Sequence, residues 1–437
     1  TASTDSPFDD PAGFVFGDAG DQNVIKCGSY VGNGSSTGPE INVGFEPQWV
    51  LIKNTESAES WAIYDSMRGI VSGGNDPGLY ANTTHSEYSA NIIDLTSTGF
   101  KLVSSAGDVN ENNKKFIYVC IRRSDGYVGK PPELGTGVFA MDAGAGSSTL
   151  PNFDSTFPVD FALARTINAT SSWNAGARIL GPNYAIPNGT DAWSGAASFL
   201  WDHNAGWNTY SGWGSSAQSW MWKRHAGFDV VTYKANDSAV GRDVPHNLGK
   251  IPEMMWVKSR DTSRHWFVYH KGLNNGSSPE DYYLWLDGNN AETDGSAAWH
   301  DTAPTASHFT VGGNSGTNGS TDNMLAMLFA SVDNISSVGS YSGSSSNIVI
   351  NLGFQPRFLI IKDLLTSGRS WVVLDTTRGW TSTSEKQLFL NESWGESTFG
   401  STSAVQRTAT GFTIDSTTSA QINDGSTSSK YIYYAHA

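Results

Sequence analysis

The sequence predicts an all-β fold, made of four tandem β-sandwich domains with jelly-roll-like connections and about a hundred residues each. Three observations lead there. Short runs of β-branched and aromatic residues ("WVLIK", "WAIYD", "FLIIK", "WVVLD") are bounded by Gly, Pro, Asn and Ser, as strands are. Helix signals are nearly absent. The third observation is a repeated phrase: "VGFEPQWVLIKN" at 43–54 returns as "LGFQPRFLIIKD" at 352–363.

The match runs on beyond that phrase. Lys53 is followed by "WAIYDSMRG" (61–69), and Lys362 by "WVVLDTTRG" (371–379). Each copy then reaches "LYAN" or "LFLN", a Thr-Gly-Phe, and a closing strand, "KFIYVCIR" or "KYIYYA". A weaker copy starts at "LGKIPEMMWVKS" (248–259), and a more degenerate one at "TFPVDFALAR" (156–165). The expected layout is an N-terminal arm at 1–22 and repeats at 23–129, 130–227, 228–334 and 335–437. The apolar stretch "PRFLIIK" suits a central strand, and the alternation in "YIYYA" suits a strand with one wet face.

Each part of the motif has a physical role. Gly44-Phe45-x-Pro47 and Gly353-Phe354-x-Pro356 turn the chain into a strand, with Pro at its first position, where no ladder N–H is lost. That strand ends at Lys53 or Lys362. Asp65-x-x-Arg68-Gly and Asp375-x-x-Arg378-Gly close the next strand, with an ion pair or an Asp-capped turn. Residues repeated in separate domains in this way are expected to hold the fold.

Composition narrows the function classes. Apolar residues make up 38% of the 437, enough for real cores. The net charge of −15, with no basic cluster, argues against nucleic acid or anionic membrane surfaces as partners. No apolar run reaches the ~18–20 residues that span a bilayer. Cys27 and Cys120 are too few for a disulfide framework. Aligned with the last copy they stand opposite Val338 and Ala435, so two reduced core thiols are expected, although first and last strands of one domain could be neighbours.

The search for chemistry assigns no catalytic residue, metal or cofactor. HExxH, GxxxxGK[ST] and Cys-x-x-Cys are missing. "GSSTG" at 34–38 fits the nucleophile-elbow pattern around Ser36, but a polar loop precedes it and Pro39 follows. "DGNNAETDG" (287–295) departs from the EF-hand order at Ala291 and reads as a solvated loop. His265 and His270 flank one strand, and His300 and His308 another loop. The segment 193–222 carries six tryptophans. Trp220 and Trp222 belong to a strand, split between core and surface. Trp207, Tyr210 and Trp213, with His203, read as a loop that either stacks on a glycan or packs against its own or a neighbouring chain.

The combination "GFEPQWVLIKN…W…D…RG…N…TGF…YIY" resembles repeated β-sandwich domains in tail or virion structural proteins of tailed bacteriophages, marine and cyanobacterial ones in particular. The resemblance covers 43–122 and 352–435 well, 248–330 moderately and 130–227 poorly. It implies a non-enzymatic protein on the virion surface, a tail fibre or a capsid fibre or decoration, for host-surface adhesion or particle stabilisation. The implied partners are other virion proteins, further copies of the chain in a homo-oligomer such as a trimer, and a host-surface glycan. The alternative is a secreted, lectin-like protein using the tryptophan-rich segment.

Overall fold

The structure is a computed structural model. It describes residues 24–437 apart from 72, 97, 123–131, 146–149, 195–198, 202, 210–215, 382–384, 400–403 and 417–418, so the expected arm at 1–22 lies outside it. The fold is all-β, in antiparallel sheets.

One sheet order recurs. In the first repeat an opening strand (Ile25–Val31) pairs with the closing strand (Lys115–Ile121). The closing strand pairs in turn with the motif strand (Trp49–Asn54), and Ala62–Asp65, Asp76–Tyr80 and Tyr88–Ala90 follow. The third repeat has the same six-stranded order: Phe228–Lys234, Asn323–Phe329, Met254–Ser259, Phe267–His270, Tyr282–Trp285, Thr293–Asp294. So does the fourth: Ser336–Ser342, Lys430–His436, Phe358–Asp363, Val372–Asp375, Lys386–Phe389, Ser397–Thr398. The second repeat keeps four strands of this order: Phe139–Ala143, Ala217–Trp222, Phe161–Thr166 and Asn174–Ala177. A smaller sheet of two or three strands accompanies each.

By contact density the chain divides into two compact units. One is residues 1–130 with 179–181, and the other is 131–178 with 182–437. In the second unit each repeat has its own core, around Phe153, Trp207 and Met221, around Phe309, Trp299 and Val257, and around Phe412, Trp380 and Leu359. These repeats are nevertheless not a row of separate beads. They pack on one another through the outer faces of their large sheets.

The burial patterns record the difference. In the first repeat the motif strand alternates: Val50, Ile52 and Asn54 are buried, whereas Trp49, Leu51 and Lys53 are half-buried. That is the pattern of a sheet with one face in a core. In the third and fourth repeats the same strand is buried at every position. The closing strand of the fourth repeat, expected to have one wet face, is buried from Tyr431 to His436. Its second face is covered by another repeat, which its own alternation cannot reveal.

The thiols follow the same logic. Cys120 points into the first repeat's core, where burial, with a smaller contribution from Cys27, pushes its thiol up to about 12. Cys27 is exposed and unpaired. The expectation of a buried thiol there fails because Val338, its counterpart, is buried by packing that the first repeat lacks in a single chain.

Candidate functional site

Gly44 and Gly353 both adopt positive φ (85° and 82°), which a side chain would strain, and each N–H is held by an Asn side chain two residues earlier. The following Phe45 and Phe354 are buried, as are Pro47 and Pro356. Each proline lies two residues ahead of its strand rather than at the first position. Asp65 and Arg68 form an ion pair at 2.6 Å, and so do Asp375 and Arg378. In both, Arg Nη2 also donates to a strand carbonyl, of Ile63 or Val373. The environments differ: the Asp375–Arg378 side chains are fully buried, the Asp65–Arg68 ones partly exposed.

What covers Asp375 is the second repeat. Its carboxylate accepts from Trp220 Nε1 (3.0 Å) and Gln218 Nε2 (3.1 Å). This is one part of a joint that recurs three times. A tryptophan stands just before the fourth strand of the sheet in each repeat, and its indole N–H crosses to the neighbour. Trp266 donates to the carbonyl of Ile186 (3.0 Å), Trp371 to Trp285 (2.9 Å) and Trp173 to Phe389 (2.8 Å). The third repeat thus reaches the second, the fourth reaches the third, and the second reaches the fourth. The relations close into a ring of three.

The cation at the end of the motif strand obeys the same cycle. Lys258 donates to the Thr190 carbonyl (3.1 Å) and Lys362 to Asn290 (3.0 Å). Arg165 donates to Ser393 (3.1 Å) and Trp394 (2.7 Å). Burial lowers both lysines to about 8, and burial together with the Arg378 charge lowers Arg165 to about 10. Backbone bonds complete each joint: Trp193 N–H to Arg260 (2.8 Å), Glu292 to Leu364 (2.7 Å) and Glu396 to Ile167 (2.7 Å). The loop 287–295, read from sequence as solvated, is therefore a clasp between the third and fourth repeats.

Aromatic rings fill the centre. Phe139 lies 5.2 Å from Phe358, Trp222 lies 5.7 Å from Phe358 and 6.0 Å from Phe228, and Phe329 lies 5.0 Å from Tyr434. Trp220 and Trp222 do not split between core and surface. Two residues apart on one strand, they share a face, and that face is covered by other repeats. The repeated Trp and Lys were visible in the sequence, but their use between repeats was not, since nothing local marks a donor as reaching across.

The tryptophan-rich segment also differs from its reading. Trp207 is not on a loop. It sits in the strand Gly206–Thr209, fully buried, with its ring 4.6 Å from Phe153 and 4.4 Å from Phe199, and its N–H on Ser219 Oγ (3.0 Å). Its neighbours Gly206 and Asn208 are buried with it, and Asn208 Oδ1 accepts from the Asn152 N–H (2.9 Å). His203 is half-buried, with its carbonyl accepting from Arg178, and Tyr210 and Trp213 lie outside the described residues. Trp207→Ala is expected to destabilise the second unit by about 3–5 kcal/mol in chemical denaturation.

The histidines are dispersed. His270 is fully buried, His265 stacks on Trp285 at 4.0 Å and pairs with Asp287 at 2.7 Å, and His300 lines a shallow depression with Asp301 and Ser296. Among the described residues no three His, Cys, Asp or Glu side chains are grouped to hold a metal ion. No helix among them is long and apolar enough to cross a membrane.

Residues 15–124 and 188–437 match DUF7483, a family described as a domain of unknown function. The chain belongs to the DUF7483 family. Among curated proteins, none matches it. The match omits residues 125–187, which include the whole first half of the second repeat, where the motif is most degenerate, and it takes in nearly all of the first repeat and both later ones of this DUF7483 chain.

Proposed function

We infer that this chain is a non-enzymatic structural protein on the surface of a tailed-bacteriophage particle, in a tail fibre or a capsid fibre or decoration. It would serve host-surface adhesion or particle stabilisation. The observation that supports this reading most is the use made of the repeated polar residues. Lys258, Lys362, Asp375 and Arg378 are all committed to joints or turns within the second unit, with none aimed into a cleft. The sequence resemblance supplies the particle. The lectin-like alternative loses Trp207, whose ring has no free face for a sugar.

The test is location. Antibody labelling and peptide mass spectrometry on gradient-purified particles should find the chain on intact virions, accessible to antibody. Its absence from the particle while it is abundant in the lysate would refute the proposal.

A further inference from the structure

The first repeat carries the parts of the same joint, uncovered. Ile25 is 58% exposed and Cys27 is exposed, whereas the residues in register with them, Phe228 and Val230 in the third repeat and Ser336 and Val338 in the fourth, are buried. Ile117 on the closing strand is 40% exposed, whereas Gln218, Leu325 and Ile432 are buried. Trp49, Leu51 and Lys53 are half-buried where their three sets of counterparts are all buried.

The polar contacts are just as incomplete. Lys53 Nζ donates to the carbonyl of Glu59 (2.8 Å), as Lys258 does to Arg264 (3.0 Å), six residues on in each case. Lys258 adds the bond to its neighbour's Thr190. Trp61 occupies the place of Trp173, Trp266 and Trp371 but is half-buried, and its indole N–H has no acceptor among the described residues.

We propose that three copies of the chain associate through this face, so that three first repeats form the ring that the other repeats form within one chain. The joint is head-to-tail: the surface carrying Lys53, Trp61 and Ile117 packs on the surface carrying Asp65 and Tyr80 of the next copy. Joints of this kind close a ring when the rotation allows it, and the rotation in residues 131–437 closes at three. Tyr80 pairs with Ala62 as Trp285 pairs with Phe267 and Phe389 with Val372. Trp61 would therefore donate to the carbonyl of Tyr80 of the partner subunit. Glu87 N–H, placed like Glu292 and Glu396, would meet the carbonyl of Thr55 of the partner subunit. Two bonds have no counterpart, since Ile117 and Val119 stand in register where Gln218 and Trp220 donate to Asp375. Asp65 is already neutralised by Arg68, so no unpaired charge is enclosed.

The proposal shares with the virion reading only the expectation of a homo-oligomer, and it can fail separately, because its test uses the purified full chain. Sedimentation velocity should give three times the chain mass of 46.9 kDa. Ile117→Asp sets a carboxylate against Asp65 and should give monomer, while Ile117→Gln, which copies the second repeat, should stay trimeric. Cys27 should be alkylated about tenfold more slowly in the trimer than in the Ile117→Asp variant, because only the dissociated fraction reacts. Cys120, buried in both, serves as the silent control. A monomeric or dimeric wild type at tens of micromolar would overturn the proposal. So would a trimer that survives Ile117→Asp or leaves Cys27 freely reactive, since the copies would then meet elsewhere.

Discussion

Replacing Asp375 with alanine should destabilise the second unit by about 3–5 kcal/mol, whereas Asp65→Ala should change the first unit by about 1 kcal/mol or less. The residues occupy the same motif position and bind an arginine at the same 2.6 Å. Their surroundings set the difference. Without Asp375, Arg378 remains as a buried charge with no counter-ion, and the Trp220 and Gln218 donors of another repeat lose their acceptor. Arg68 keeps Glu87 at 3.1 Å and partial contact with water. Urea unfolding of both variants, followed separately in each unit by hydrogen exchange, checks the pair of values. Equal losses would mean that the second repeat does not cover Asp375.

Acid should undo the second unit before the first. Burial holds His270 and His436 down to about 3 and lowers His225 well below the usual histidine range. The charged groups that perturb them are Lys271 for His270, Arg357 for His436, and Lys223, Lys250 and Asp160 for His225, which also lies 6.4 Å from His436. Unfolded, all three titrate near 6.5, so between 6.5 and 3 the unfolded state binds more protons and stability falls as pH falls. At pH 4.5, His270 and His436 should each cost roughly 2–3 kcal/mol. In the first unit, burial of Asp76 outweighs its three backbone N–H donors and raises it to about 7. Its sign is opposite: between 3.8 and 7 the folded state holds the extra proton, and acid stabilises. Denaturation midpoints at pH 7 and 4.5 should therefore drop for residues 131–437 more than for 24–122.

The fold class was legible because its signals are local. Turn residues, β-branched runs and the recurring Gly-Phe-x-Pro each act within a few residues, and the Asp-x-x-Arg turns close on themselves. The joint was not legible, because Trp371 and Lys362 look the same whether they end in water or on a neighbour's carbonyl. Two errors share that cause. The analogy of Cys27 with Val338 predicts a core thiol, and the alternation in "YIYYA" predicts a wet face, and both turn on whether a second repeat covers the sheet. Trp207 misled for a different reason. Its strand, Gly206–Thr209, is buried at Gly206, Trp207 and Asn208 alike, so polar and apolar residues do not alternate there and the sequence leaves no periodic trace of a strand.

The central claim is that residues 131–437 are three repeats locked by one joint used three times. Pulsed hydrogen exchange along a urea titration tests it most directly, with peptides from 156–166, 254–259 and 358–363 reporting the motif strand of each repeat. Cooperative closure predicts one shared midpoint for all three, displaced together by Asp375→Ala while peptides from 49–54 hold their place. Three separate midpoints, with only the fourth repeat responding to the substitution, would contradict it.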